Sequence, residues 1–203
     1  EMILVKGARN YRFEEIVSRL EEKSHGTRLA INFESVIHNL NAYRKLLKPE
    51  VKLLVMVKAF GYGGGGAEIS NLLQFHNVDY LGVAYTDEAV QLRNSGLTLP
   101  ILVLNPDFDR LEEMHRLAIE PEVYSLSSLR KVIQEEHAPA IHLKIETGMN
   151  RLGFIEKDWD AVCQILLENP QVRVAGVFTH LSSAEEKEAD QFSQQQVVQF
   201  EKA

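Results

Sequence analysis

The feature that most constrains this chain is a regular alternation of short apolar runs with longer segments of helical periodicity. The apolar runs predict β-strands, at Leu29–Phe33, Val51–Lys58, Tyr80–Ala84, Ile101–Leu104, Glu122–Tyr124, Ile141–Glu146 and Val172–Thr179. The intervening segments repeat apolar residues every three to four positions and predict helices, over Ser35–Leu47, Ala67–Phe75, Thr86–Asn94, Asp107–Leu117, Leu126–Glu136, Asp158–Glu168 and Glu185–Ala203. Strands that alternate with helices favour a parallel sheet joined by right-handed crossovers.

Two α/β architectures satisfy this alternation: a (β/α)8 TIM-type barrel and an open doubly wound sheet. The pattern alone does not choose between them. From Val51 onward about six strands are predicted, whereas a closed barrel has eight strands and typically about 250 residues. We therefore expect an incomplete α/β unit that is part of a longer protein.

Charge and cysteine usage narrow the functional classes. A net charge of −7 argues against nucleic acid or an anionic membrane as the main partner. The single cysteine, Cys163, fits a reducing compartment and is expected in the core. No apolar run approaches the roughly 18 residues of a membrane span, and the N-terminus lacks a secretory signal. A cytoplasmic setting is expected.

The first candidate functional residue is Lys58, which ends an apolar strand and precedes the glycine-rich turn of residues 61–66. A poorly solvated lysine has a lowered pKa, which frees its amine for imine formation. Glycines allow the backbone to approach an anion closely. The alternative is a strand-end lysine that reaches solvent beside a flexible loop. The turn lacks the Lys-Ser or Lys-Thr of a nucleotide-binding loop, so ATP binding is not expected.

Two further strand ends carry polar residues. Lys144 and Glu146 lie two apart on one predicted strand, and Arg151 follows in the next loop. A lysine facing inward needs neutralisation, either by Glu146 or by chemical modification. The alternative is a buried Lys–Glu pair with a solvent-exposed arginine. His180 lies at the end of the last predicted strand, and the alternative for it is a structural role. The sequence contains no motif with the spacing of zinc ligands.

Three segments together resemble, in order, motifs of the alanine racemase family of fold-type III pyridoxal-phosphate enzymes. Met56-Val-Lys-Ala-Phe-Gly-Tyr-Gly-Gly-Gly65 is similar to the family's Val-Val-Lys-Ala-Asn-Ala-Tyr-Gly-His-Gly. Lys144-Ile-Glu-Thr-Gly-Met-Asn-Arg-Leu-Gly153 resembles Lys-x-Asp-Thr-Gly-Met-x-Arg-Leu-Gly, and Gly176-Val-Phe-Thr-His180 resembles Gly-x-x-Thr-His. The resemblance runs from about residue 28 to residue 203 and implies an incomplete TIM-type barrel, residues 26–203, as the N-terminal cofactor-binding domain.

By this resemblance, Lys58 holds pyridoxal 5'-phosphate covalently and acts as a base in the interconversion of L- and D-alanine for peptidoglycan synthesis. Tyr62 and His180 would lie in the cofactor pocket, and Arg151 near the cofactor's phenolic oxygen and the substrate carboxylate. Lys144 would be the lysine that many members carry as a carbamate, which orients Arg151.

In the family, the second base is a tyrosine of the partner subunit's C-terminal domain, so the resemblance implies a homodimer. Later segments also supply an arginine that faces the pyridine nitrogen and most of the phosphate-binding groups. None of these groups is expected among the present residues. We therefore expect the chain alone to racemise alanine poorly.

The departures from the family pattern leave other functions open. Phe60 replaces an asparagine, Gly64 stands where histidine is common, and Glu146 replaces aspartate. The alternatives are a pyridoxal-phosphate homeostasis protein without racemase activity, a regulatory domain with a vestigial pocket, and an amino-acid decarboxylase of the same fold type. The lead-in strand with Ile31-Asn-Phe33 favours a racemase over the homeostasis type.

Residues 1–25 are predicted to form a separate unit. It would contain a strand at Met2–Lys6 and a helix at Phe13–Lys23. Ile3-Leu-Val-Lys-Gly-Ala-Arg9 resembles the closing segment of the Mur ligase that adds D-alanyl-D-alanine to the peptidoglycan precursor. The resemblance implies a ligase–racemase fusion in which both activities serve one D-alanine pathway. The alternative is a coincidental strand and helix.

Overall fold

A computed structural model of the chain describes residues 30–203. Strands and helices alternate along these residues, in the order α1 Phe33–Leu46, β1 Leu54–Met56, α2 Gly66–Phe75, β2 Tyr80–Tyr85, α3 Thr86–Asn94, β3 Ile101–Asn105, α4 Leu111–Arg116, β4 Ile119–Val123, α5 Leu126–Gln134, β5 Ile141–Lys144, α6 Trp159–Glu168, β6 Val174–Phe178 and α7 Asp190–Lys202. Short helical turns lie at Lys58–Tyr62, Phe108–Arg110, Glu156–Asp158 and Lys187–Ala189. The strand and helix predicted within residues 1–29 lie outside the described residues.

The six strands form one parallel sheet in the order β1-β2-β3-β4-β5-β6. Sequential parallel neighbours separated by helices are the architecture of a (β/α)8 barrel rather than of a doubly wound sheet, in which the strand order reverses. The structure thus confirms the prediction of an incomplete TIM-type barrel with six strands.

The two faces of the sheet differ in chemistry. Towards the helices the strands present apolar side chains with no exposed surface, among them Leu81, Val83, Ile101, Val103, Ile119, Val123 and Ile141. The pairing of Leu102 with Glu120, and of Glu122 with His142, places polar residues on the opposite, barrel-interior face. The core therefore lies between sheet and helices, and the interior face is available for polar chemistry.

Side-chain caps explain where two helices begin. The Asn32 side chain accepts a hydrogen bond from the backbone N–H of Ser35, 3.1 Å away, at the start of α1. At the start of α5, Ser125 Oγ accepts from the N–H of Ser128 at the same distance. None of the helices between Phe33 and Lys202 combines the length and apolar character needed to cross a bilayer.

Three details of the sequence analysis need correction. The lead-in strand at Leu29–Phe33 is wrong in its described part, because Ala30–Asn32 pair with no strand and Phe33 begins α1. The strand predicted at Glu122–Tyr124 begins earlier, at Ile119, which pairs with Ile101. Cys163 is exposed rather than in the core, because Val162 and Ile165 turn the buried side of α6 towards the sheet.

Candidate active site

Lys58 follows β1 directly and begins a turn of unusual backbone geometry. Ala59, Phe60 and Tyr62 have φ values of 53°, 52° and 58°, so this is one turn of left-handed helix. Each non-glycine residue in that region costs roughly 1–2 kcal/mol. Only Gly61, at φ 65°, adopts it without a penalty, and a Cβ there would also lie 3.0 Å from Ile69. Such strain persists only where surrounding contacts enforce it, and it is concentrated at functional sites.

The contact that enforces this turn comes from Glu88, in the first turn of α3. One carboxylate oxygen accepts from the N–H of Ala59 at 2.6 Å. The other accepts from the N–H groups of Ala84 and Tyr85, at 2.8 and 3.1 Å. Because hydrogen bonds to an ionised acceptor are about twice as strong as neutral ones, Glu88 fixes the peptide that follows Lys58.

Replacing Glu88 with glutamine is therefore expected to loosen the Lys58 turn. A neutral glutamine side chain has one acceptor oxygen instead of two, so all three N–H groups lose the charged acceptor and at least one loses its acceptor altogether, at a cost of about 2 kcal/mol in the free energy of unfolding. Hydrogen exchange at the Ala59 amide should accelerate in the same variant. The control is Glu112→Gln, at an exposed position of α4, for which a change within about 0.5 kcal/mol is expected. Unchanged exchange at Ala59 would show that Glu88 does not hold the turn.

Arg151 lies in a loop that closes on itself just beyond β5. The N–H of Phe154 donates to Lys144 O at 2.8 Å, and the N–H of Glu146 donates to Phe154 O at 3.0 Å. Phe154 is fully buried and anchors the far end of this loop. The Glu146 carboxylate accepts from the backbone N–H groups of Gly148 and Arg151. The loop is thus held at both ends, and it presents the exposed Arg151 side chain beside the end of β5.

The pKa of Glu146 follows from these contacts. Burial acts to raise the pKa, but N–H donors from Asn150, Gly148, Arg151 and Met149 outweigh it, so the pKa lies below its ordinary value. The Glu146 carboxylate is therefore occupied by hydrogen bonds from its own loop. The structure records no ion pair between it and Lys144 among residues 30–203, so the predicted Lys144–Glu146 pair is not formed.

Lys144, the last residue of β5, is 6% exposed, and its Nζ lies 4.4 Å from the centre of the Phe178 ring. Burial lowers the pKa of its amine; the charge of Glu122 opposes this shift more than Glu146 does, and Arg151 adds to it. Glu122 on β4 is 2% exposed. Burial raises the pKa of Glu122 to about 7 although Lys144 and Arg151 act to lower it. The carbamate at Lys144 stays a prediction.

His180 stands two residues beyond β6, and a hydrogen-bond network fixes its backbone. Gln196 of α7, which is fully buried, donates to His180 O at 3.1 Å and to Thr147 Oγ1 at 3.3 Å. Thr147 Oγ1 and Thr179 Oγ1 lie 2.7 Å apart, and Thr179 donates to Ile145 O at 2.9 Å. These contacts join the segments after β5 and β6 to α7.

The predicted residues converge on one edge of the sheet. Burial lowers the pKa of His180, and the positive charges of Lys144, Arg151 and Lys58 lower it further. Tyr62, which is 62% exposed, ends the left-handed turn that Lys58 begins. Lys58 after β1 and Arg151 after β5 are cationic groups that can bind a phosphate or a carboxylate, and Lys58 adds a nucleophilic amine. No cluster of potential metal ligands occurs among residues 30–203.

Several residues of this site were missed by the sequence analysis. Glu88 and Gln196 lie within the helices predicted at Thr86–Asn94 and Glu185–Ala203, and the sequence analysis assigns neither a role. Glu122 was treated as a strand terminus, although Glu120 and Glu122, two apart, were the available signal of a polar interior face. On this interior face His142 Nε2 lies 2.6 Å from Glu120 Oε2.

The fold and the site define a class of protein, a parallel βα-barrel domain that carries a lysine directly after β1 and further cations at the end of β5. Comparison with known proteins specifies the family. Residues 31–203 match the model described as alanine racemase, N-terminal domain, and the chain belongs to that family.

Individual relatives agree with this assignment. An alanine racemase of Thermodesulfovibrio yellowstonii is 34% identical over 181 residues, covering 85% of this chain and 48% of the relative. A serine/alanine racemase of Enterococcus gallinarum is 31% identical over 170 residues, covering 82% of this chain and 24% of the relative. The solved alanine racemase of Clostridium difficile 630 superposes with a TM-score of 0.76 at 30% identity, covering 86% of this chain and 49% of that one. The chain spans about half the length of the first of these relatives and of the solved structure.

Proposed function

We propose that this chain is the lysine-bearing half of a pyridoxal-phosphate-dependent racemase that interconverts L- and D-alanine. The observation that carries the proposal is the placement of Lys58 directly after β1 on a strained turn, where its charge, together with those of Lys144 and Arg151, acts on His180. The names of the relatives support alanine as the substrate.

The residues present fit the cofactor. Pyridoxal phosphate requires a lysine amine for covalent attachment and positively charged partners for its anionic oxygens. Lys58 is half-buried and ends its strand, while Arg151 is exposed on a rigid loop at the same edge of the sheet. When bound, the cofactor supplies an electron sink that stabilises negative charge at the substrate α-carbon.

Each residue of the chain has a distinct proposed role. Lys58 Nζ would hold the cofactor and would carry a proton to or from the α-carbon on one face of the substrate. Arg151 binds anionic oxygen of the cofactor and the substrate carboxylate. Tyr62 and His180 line the pocket, and the lowered pKa of His180 favours its neutral imidazole.

The remaining parts of the whole enzyme are proposals from the resemblance. The base for the opposite face and further phosphate ligands would come from a second domain and from the partner in a homodimer. We further infer that residues 1–25 are the end of a Mur-ligase-like domain and that residues 26–203 begin the racemase, which places the reaction in peptidoglycan synthesis. Immunodetection of the native polypeptide with antibodies against both parts tests the fusion, which requires one band of combined mass.

The test of the activity is proton exchange at the α-carbon. The full-length protein that contains this chain is loaded with pyridoxal phosphate and incubated with L-alanine in deuterated water, and proton NMR follows the α-proton while a D-amino-acid assay follows product. We expect the α-proton to be lost and D-alanine to accumulate. L-Serine in a parallel reaction measures substrate choice. Cofactor binding with no loss of the α-proton from alanine would favour the homeostasis type over a racemase.

A further inference from the structure

We propose that Gln196 is a positioning residue, whose side-chain amide ties the loop that carries Arg151 to the segment that carries His180. By fixing these two segments relative to each other, the amide sets the distance between the Arg151 guanidinium and the His180 ring. The assignment depends on hydrogen bonds within the described part of the chain. Its effect on alanine binding rests on the proposed function.

The Gln196 amide bonds to two segments at once. Its two N–H groups donate to His180 O at 3.1 Å and to Thr147 Oγ1 at 3.3 Å. Its Oε1 atom accepts from the backbone N–H of Ser182 at 3.2 Å. Gln196 has no exposed surface, whereas Gln195 beside it on α7 is exposed. Because burying an amide is costly unless its polar atoms are bonded, these contacts are what make its burial possible.

From Thr147 the hydrogen bonds continue to the end of β5. Thr179 Oγ1 donates to Ile145 O at 2.9 Å, and Thr147 Oγ1 lies 2.7 Å from Thr179 Oγ1. Since a hydroxyl has a single proton, Thr147 is the donor to Thr179 and the acceptor from Gln196. Thr147 is 3% exposed, so bulk water does not replace a lost partner. One directed series of hydrogen bonds therefore joins α7, the β6 segment and the β5 segment.

The same junction reaches Arg151 through the backbone. Thr147 follows Glu146, whose carboxylate accepts from the backbone N–H of Arg151 at 3.1 Å. Gly148 also lies against α7, because a Cβ there would be 2.9 Å from the Phe192 ring. Loss of the glutamine amide leaves the bonds within the loop intact but lets the base of the loop shift relative to β6.

The test measures the pKa of His180 by proton NMR in the full-length protein without cofactor, and the signal is assigned by its absence from His180→Gln. Burial lowers this pKa, and four charged side chains act on it: Lys144, Arg151 and Lys58 lower it, and Glu185 raises it. In Gln196→Met we expect the pKa to rise, because a released loop lets the Arg151 guanidinium move away from the other cations. Gln195→Met, at an exposed position of α7, is the matched control and should leave the pKa unchanged.

Two comparisons separate the charge of Arg151 from packing and solvation. In an Arg151→Gln background, Gln196→Met should no longer move the pKa of His180, since the charge that it displaces is absent. Thr147→Val keeps the size of the side chain but removes the hydroxyl that accepts from Gln196, whereas Thr147→Ser keeps the hydroxyl. The pKa of His180 should rise in Thr147→Val and stay unchanged in Thr147→Ser. A role in packing alone would give the opposite order.

In the loaded enzyme the same substitution is expected to act on substrate binding. Arg151 is proposed to bind the substrate carboxylate equally before and in the transition state. Gln196→Met should therefore raise KM for L-alanine by about tenfold, the effect of roughly one weakened hydrogen bond, and change kcat by less than about threefold. A loss of folded protein alone would lower kcat and leave KM unchanged.

Two results would overturn the inference: a pKa of His180 that is the same in Gln196→Met as in the unchanged protein, or a rise that persists in the Arg151→Gln background. If Gln196→Met does not fold, the two Thr147 variants decide, and an unchanged pKa in Thr147→Val overturns it. Failure of the proposed function is detected separately, as the absence of alanine turnover in the unchanged protein, and leaves the titrations of His180 unaffected.

Discussion

Replacing Lys58 with alanine is expected to reduce alanine racemisation by the full-length protein by a factor of at least about 10²–10⁴, the typical contribution of a positioned base. The variant removes both the attachment point of the cofactor and the group that moves a proton at the α-carbon. The rate of α-proton loss from L-alanine in deuterated water, measured at saturating pyridoxal phosphate, gives the size of the effect.

Two matched variants distinguish the loss of the reactive amine from the loss of a positive charge. Lys58→Arg retains the positive charge, but its guanidinium stays protonated and cannot attach the cofactor, so its loss should equal that of Lys58→Ala. Lys52→Ala removes an exposed lysine that precedes β1, away from the carboxyl ends of the strands, and should leave the rate unchanged. Substantial activity in Lys58→Arg would mean that this position supplies only charge.

Replacing Phe154 with alanine is expected to lower the free energy of unfolding by about 3–5 kcal/mol, the usual cost of deleting a buried aromatic side chain. Phe154 has no exposed surface, and its backbone closes the Arg151 loop through Lys144 O and the N–H of Glu146. The cavity left behind therefore weakens both the core and the loop. Urea unfolding followed by far-ultraviolet circular dichroism measures the change.

The control for this variant is Phe75→Ala. Phe75 is 80% exposed at the end of α2, so its removal should change the free energy of unfolding by less than about 0.5 kcal/mol. A loss below about 1 kcal/mol in Phe154→Ala would contradict the assignment of Phe154 as the anchor of the loop, because even a small cavity in a packed core costs that much.

The strand–helix alternation was sufficient to predict the sheet, because buried parallel strands and amphipathic helices have different periodicities in sequence. The strands predicted at Val51–Lys58 and Val172–Thr179 include the observed strands β1 and β6. The alternation failed over residues 30–33, the described part of the strand predicted at Leu29–Phe33, because the cap at Asn32 starts a helix at Phe33. A local cap outweighed a β-prone composition there.

The site residues also divide into those that the sequence could predict and those that it could not. Lys58, Arg151 and His180 were predictable, because each follows a strand and parallel strand ends meet at one edge of a barrel. Glu88 was not, since its partner Ala59 is 29 positions away and no local pattern marks the contact. Gln196 is further still from its partner Thr147 in sequence. The left-handed geometry of Ala59 and Phe60 depends on such non-local contacts and has no signature in those residue types.

The central claim, that Lys58 is the residue that holds pyridoxal phosphate, is tested most directly by chemical trapping. The full-length protein is incubated with pyridoxal phosphate, reduced with borohydride and digested, and the modified peptide is sequenced by mass spectrometry. A pyridoxyl group on Lys58, absent from Lys58→Arg and retained in Lys52→Ala, is the predicted result. Modification spread over surface lysines, or confined to a lysine other than Lys58, would contradict the claim.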